Sequence, residues 1–472
     1  MIQLDRRRLL AGSSLLLGNA AIPGTAALAA AQASRRLPAF YEEIERRTFR
    51  WFWDTVDRAN GLVPDRWPTP SFASIAAVGF ALPVYAIGAE RGWCTRAEAR
   101  DLTLTTLRFF WNAPQGPSGA GHKGFFYHFL DMQTGARFRD VELSSVDTTI
   151  LLMGVLFAGQ YYGRDDPAER EIRRLGDALY ARADWNFFRS DGRKAISMGW
   201  HPESGLIRAN WVGFNEGMFV NILALGSPTY PAPADLWEQW TAPYPKFWRG
   251  SGPTRRIAFA PLFPGQYSQI FIDFRGIRDA AMRAAGFDYF ENSRRETWAN
   301  RAYCIANPMR WRGYSKDVWG LAACDGPGGF ELPYRGETRS FFGYSARGPI
   351  GEPDGRDDGT ITPSAALGAL PFAPEIAIPC AAALMRQPGL FGRYGFVDSF
   401  NPSFRYTHAR LGTGSVDPNH GWVASDCLGI DQGPILLQAA NYRDDFIWRH
   451  ISRVPAIRQG LMRAGFTGGW LR

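Results

Sequence analysis

Two stretches, FASIAAVGFALPVYAIGAERG from Phe72 and TTILLMGVLFAGQYY from Thr148, constrain the fold of this chain more than any other feature. Both have helical patterning and are apolar on nearly every side, so each must be enclosed. Neither reaches the roughly 18 uninterrupted apolar residues that span a bilayer, so the enclosure is a protein core. Around them run further helical patterns: PAFYEEIERRTFRWFWDTV from Pro38, and others beginning at Asp166, Asn215, Ser268, Ser293, Thr362 and Asp431. Thr95 with Glu98, and Ser144 with Asp147, have the spacing of helix-start capping boxes. This amounts to roughly ten to twelve helices, with few alternating strands. Short β pieces are expected at GHKGFFYHFLDMQTG and RRIAFAPLFPG. The expectation is an all-α domain of antiparallel helix pairs closed into a toroid. No repeat of fixed period and no low-complexity linker divides it, so residues 34–472 read as one domain.

Residues 1–33 read as an address. Arg6, Arg7 and Arg8 precede Leu9 and Leu10, a short apolar run follows, and Ala31 and Ala33 offer a small-residue cleavage site. The pattern fits a twin-arginine signal peptide better than an ordinary secretory signal or a membrane anchor, because Gly18, Asn19 and Pro23 interrupt the apolar core. A periplasmic or secreted location follows as an expectation, with no stable membrane anchor once the signal is removed. A net charge of +8 is spread thinly and forms no basic stripe interleaved with aromatics, which argues against a nucleic-acid partner. Five cysteines, far apart and without a CxxC pair, argue against a disulfide framework or a zinc site.

The chemistry is narrowed first by what is missing. There is no HExxH, Walker A loop or GxSxG elbow, and GAGHKG at Gly119–Gly124 is followed by strand-like FFYHF, not a helix. EPDGRDDG at Glu352–Gly359 lacks calcium-hand spacing and reads as a solvated or sugar-facing loop. No metal or other cofactor is called for. What remains is carboxylates among aromatics, in a chain with 17 Trp, 17 Tyr and 33 Phe, the side chains on which sugar rings stack. Glycoside hydrolysis needs two carboxyl groups, one protonated and one ionised. Glu216 in NWVGFNEGMF is either a general acid raised by apolar neighbours or a first-turn glutamate complementing a helix dipole. Asp147 in ELSSVDTTILL, with Glu142 upstream, reads on its own as the partner of the Ser144 cap. Asp273 in IDFRG reads as an arginine partner.

Taken in order, ELSSVDTTILLMG, MGWHPESG, NEGMFVNILALGSPT, FPGQYSQIFIDFRGIRD, FDYFENSRRET, WGLAACDGP, DGTITPSAALGALPFAPE and GWVASDCLGIDQGPI resemble the glucoamylase-like domain of glycoside hydrolase family 144, the bacterial endo-β-1,2-glucanases. A related domain occurs in cyclic β-1,2-glucan synthases. The resemblance runs from about Phe40 to Trp448. It implies an (α/α)6 barrel and inverting endo-hydrolysis of β-1,2-glucan to sophoro-oligosaccharides. It carries catalytic duty to Glu216 as acid and Asp147 in water activation, and less directly to Glu142. Trp200, His201, Trp211, Gln266, Tyr267, Arg275, Glu291, Asn292, Trp319 and Trp422 fall in the matched segments and are candidates for sugar contact. Gly265 stands where relatives carry a histidine, which implies an altered subsite contact. An exo-acting or transglycosylating enzyme, and a non-catalytic periplasmic glucan-binding protein, are the alternatives.

Overall fold

A computed structural model describes residues 35–472 of the chain; the expected signal peptide lies outside the described residues. The two apolar stretches become helices that are buried along almost their whole length. Helices of nine or more residues are, in order, α1 (Ala39–Thr55), α2 (Ile75–Glu90), α3 (Arg96–Asn112), α4 (Ser145–Tyr161), α5 (Pro167–Ala181), α6 (Met218–Gly226), α7 (Phe263–Phe271), α8 (Tyr289–Ala306), α9 (Pro374–Leu384), α10 (Gly429–Asp444) and α11 (Pro455–Arg463). Those buried on every side, α2, α4, α6 and α10, pack against one another: α2 touches α4 and α10, and α4 touches α6. More polar helices pack against them, α3 on α2, α5 on α4 and α1 on α10, with apolar faces inward.

The tightest contact joins α2 to α4 through two glycines. A Cβ on Gly79 would overlap the main chain of Ile150 and Leu151, and one on Gly154 would overlap the carbonyl of Gly79. The two backbones therefore touch with no side chain between them.

Local signals held in most places. Thr95 and Glu98 form the full capping box of α3, and Asp166 caps α5. Ser144 caps α4 by accepting from the Asp147 N–H, but the Asp147 carboxylate accepts from the Ser144 hydroxyl and not from the cap's main chain. The pattern from Thr362 divides into two helices, Pro363–Leu367 and α9, because Pro371 and Pro374 cannot continue the first. The pattern from Ser268 begins earlier, as α7, and stops at Phe271, where the chain turns extended. The β pieces are short; the largest sheet has five strands, Gly121–His122, Phe125–Tyr127, Leu143–Ser144, Gly199–His201 and Gly205–Leu206, antiparallel throughout. All five cysteines are free thiols.

EPDGRDDG is not a solvated loop. Asp358 is fully buried against Arg347, Asp357 accepts from the hydroxyls of Tyr303 and Tyr314, and Glu352 pairs with Arg256. Glu352 and Asp358 close internal ion pairs and Asp357 takes tyrosine hydroxyls, roles that spacing alone does not reveal, while Asp354 at the loop's tip stays exposed.

The glycine contact predicts opposite outcomes within one helix. Gly154→Ala should lower the unfolding free energy by about 3 kcal/mol through overpacking. Gly159→Ala, where a Cβ meets nothing, should raise it by up to about 1 kcal/mol. Urea unfolding of the two variants checks this.

Candidate active site

Several helices begin at one place. Ser74 caps α2, Val146, Asp147 and Ile150 lie in the first turns of α4, Glu216 precedes α6, Phe263 and Tyr267 belong to α7, and Leu428, Ile430 and Asp431 open α10; all line a cavity of about 440 Å³. Helix N-termini favour negative charge, which suits a pocket walled by carboxylates.

The first wall is built on the five-stranded sheet. Strand Leu143–Ser144 pairs with Phe126 on one side and Trp200 on the other, then runs directly into α4, which fixes Asp147 at the cavity. Asp147 Oδ2 accepts from Ser144 Oγ at 2.5 Å, and Asp147 Oδ1 lies 3.6 Å from His128 Nε2. The other ring nitrogen of His128 lies 2.9 Å from Glu142 Oε1, and the ring stacks on Phe129. Burial opposes charge on this imidazole, but Asp147, then Glu142 and Asp65, outweigh it and lift its pKa to about 9. Burial likewise opposes the Glu142 anion, yet the bond from His128 brings its pKa below the usual value. His128, Glu142 and Asp147 offer three ligand atoms within 4.8 Å of one another. A cation there would have to displace the proton from one ring nitrogen of His128; the histidine and its two acids otherwise form a chain of ion pairs.

Glu216 does not sit in the first turn of a helix: α6 starts at Met218 with Gly217 as its cap, so dipole complementation is not its duty. Asn215 shapes the turn by accepting from the Gly217 N–H at 3.0 Å. Burial of the Glu216 carboxyl, opposed by a main-chain bond and reinforced by the nearby Asp147 charge, raises its pKa to about 7.

A second wall was not legible in the sequence. Arg66 pairs with Asp325 at 2.8 Å and with Asp65 at 3.1 Å. Asp398 accepts from Ser399 Oγ at 2.6 Å and from the Asp325 N–H at 2.7 Å. Burial, then the Asp398 charge, pushes Asp431 well above the usual carboxylate range, and the same two causes lift Asp325 to about 6. Both causes favour the protonated form of Asp431. Asp431 and Asp325 lie in quoted motifs, GIDQGP and AACDGP, but nothing in their spacing separates them from ordinary helix-start and loop acids. His128 in FFYHF carried no signal at all.

Of the expected sugar contacts, Tyr267 alone lines the cavity; its hydroxyl donates to the Ile430 carbonyl at 3.3 Å. The others lie outside its lining. Trp211 is buried, donates from Nε1 to Ser145 Oγ at 2.8 Å and packs on Gly217, so it ties the Glu216 turn to the start of α4. Trp200 stacks on His122, and neighbouring His201 ends the same strand; both are half-buried outside the cavity lining. Gln266 donates to the Ala365 carbonyl, and Asn292 bonds both main-chain groups of Ile257. Arg275 is held by Asp273, as expected of that acid, and by Asp445, while lying over Trp448. Glu291 pairs with Arg295 on the face of α8. Trp319 and Trp422 have no exposed surface, so no sugar can reach them. Gly265 turns toward α8: a Cβ there would press on Glu296 and Ser293, so it has no bearing on a subsite.

A cavity walled by paired carboxylates and aromatics, in a mostly helical domain, is the arrangement that glycoside hydrolysis requires. Residues 208–455 match the family model described as "Putative glucoamylase", and the chain belongs to that family, the one its motifs resemble. Its structure is similar to that of a glucoamylase-like protein from Bacteroides uniformis, with 31% identity, coverage of 92% of this chain and 98% of the other, and a TM-score of 0.78. It also shares its fold with the endo-β-1,2-glucanase of Chitinophaga pinensis, with 24% identity, coverage of 93% and 99%, and a TM-score of 0.75. In sequence it is 25% identical over 453 residues to the exo β-1,2-glucooligosaccharide sophorohydrolase (non-reducing end) of Parabacteroides distasonis. That match covers 89% of this chain and 57% of the relative's length.

The charged state of His128 has a measurable consequence. Its folded pKa of about 9 exceeds the unfolded 6.5, so its contribution to stability is complete below pH 6.5 and is lost as pH rises through 9. The stability difference between the parent and His128→Gln should therefore shrink steadily between pH 6.5 and 10 in urea unfolding. A difference that stays constant over this range contradicts a charged imidazole.

Proposed function

We propose that this chain hydrolyses β-1,2-glucan to sophoro-oligosaccharides, with Glu216 as general acid and Asp147 activating water, directly or through a sugar hydroxyl. The observation that carries the reading is the pairing of unlike carboxyls in one cavity. Glu216, with a pKa of about 7, keeps its proton near neutrality, while Asp147 faces the His128 cation. The β-1,2 linkage is supported by the endo-glucanase of shared fold and by the sophorohydrolase relative. The series of buried helices α6, α4, α2 and α10, with outer helices packed on it, supports closure as an (α/α)6 barrel with the substrate groove at the helix N-termini. Inverting endo-cleavage is the first reading of the action. Exo-cleavage is the second, favoured by the sophorohydrolase, and early product sizes separate the two. The basic-then-apolar leader supports action outside the cytoplasm.

With Glu216 as acid, kcat/KM for β-1,2-glucan should fall as pH rises above about 7. Glu216→Gln and Asp147→Asn should each lose at least about a hundredfold in kcat while unfolding like the parent. Asp431→Asn probes the other wall. If it abolishes release of reducing ends while Asp147→Asn remains active, base duty belongs to Asp431.

A further inference from the structure

Tyr344 lines the same cavity but differs from every other residue around it. It is 70% exposed, and neither its ring nor its hydroxyl makes a ring contact or hydrogen bond with any described residue. The loop beneath it, by contrast, is tightly held. Arg347, with no exposed surface, points its guanidinium into the loop and pairs with Asp358 at 2.7 and 2.9 Å. Its remaining N–H groups reach the carbonyls of Cys324 at 2.7 Å, Gly343 at 2.9 Å, Ser345 at 3.1 Å and Phe342 at 3.3 Å. The Asp358 carboxylate in turn accepts from the Phe342 N–H at 3.0 Å. Immediately after Tyr344, Ser345–Ala346 pairs with Ala323–Cys324, a strand on the cavity wall. Gly326 lets the guanidinium in, since a Cβ there would overlap both Arg347 and the Phe342 carbonyl.

A buried ion pair is costly to desolvate and adds little net stability compared with apolar packing. What this one achieves is geometric. Both main-chain neighbours of Tyr344 are bonded from below, so the tip of the loop has one position before any ligand arrives. A large aromatic face left bare over a cavity with carboxylates in its lining, on a loop without freedom to collapse, is suited to the apolar C–H face of a pyranose ring. We propose that Tyr344 is a sugar-stacking residue at the cavity mouth, preset by the Arg347–Asp358 pair under its loop. It contributes ring-face contact that persists from bound substrate to transition state, so it governs KM more than kcat.

This rests on the β-1,2-glucanase reading, and steady-state kinetics on β-1,2-glucan tests the two separately. Tyr344→Ala is expected to raise KM about tenfold with kcat within about threefold of the parent, and Tyr344→Phe, which keeps the ring face, to stay within about twofold in both. Tyr230→Ala, at an exposed tyrosine outside the cavity, should match the parent. A Tyr344→Ala enzyme with the parent's KM overturns the proposal. So does a Tyr344→Phe enzyme as impaired as Tyr344→Ala, since the hydroxyl would then be the contact. A parent that releases no reducing ends from β-1,2-glucan overturns the functional reading itself.

Discussion

The contact of Gly79 with Gly154 is the constraint on which the site depends. With no side chains between them, α2 and α4 meet backbone to backbone, and their first residues, including Ser74 and Asp147, are brought to the rim of one cavity. A larger residue at either glycine would force the helices apart and spread the cavity wall. Trp211 extends the same rigidity sideways. Its bond to Ser145 fastens the turn bearing Glu216 to the helix bearing Asp147, so the two carboxyls are carried by elements that cannot drift independently.

Charge is divided across the cavity in an orderly way. On one wall a histidine cation lies between two acids and holds Glu142 below its usual pKa, while the neighbouring Glu216 is raised to about 7 by burial and the Asp147 charge. On the other wall Arg66 answers Asp65 and Asp325, but among the described residues no ion pair within 4 Å is found for Asp398 or Asp431. Protonated and ionised carboxyls thus coexist within a few side chains of one another because their environments differ, not their chemistry.

The helices were largely legible because their burial is written as apolar content and their starts as capping residues; Thr95 and Ser144 both cap where the sequence has them capping. The site was legible only in part. The family resemblance drew attention to Asp147 and Glu216, both in the cavity, but the same motifs also carried Trp319, Trp422, Gln266 and Asn292, which hold the fold together. A motif preserves whatever a fold needs, and a sequence string does not show which way a side chain points. His128, Asp398 and Tyr344 come from short strands and loops without periodicity. Their meeting in one cavity is a product of long-range topology.

The Arg347–Asp358 pair also separates a loop's shape from its tip. Because the bonds that hold residues 342–345 run to main-chain carbonyls, they are indifferent to which side chain is displayed at position 344. That position can therefore be exchanged without a folding penalty. A scaffold built this way can change the face it displays by single-residue steps, each tried on an undisturbed frame.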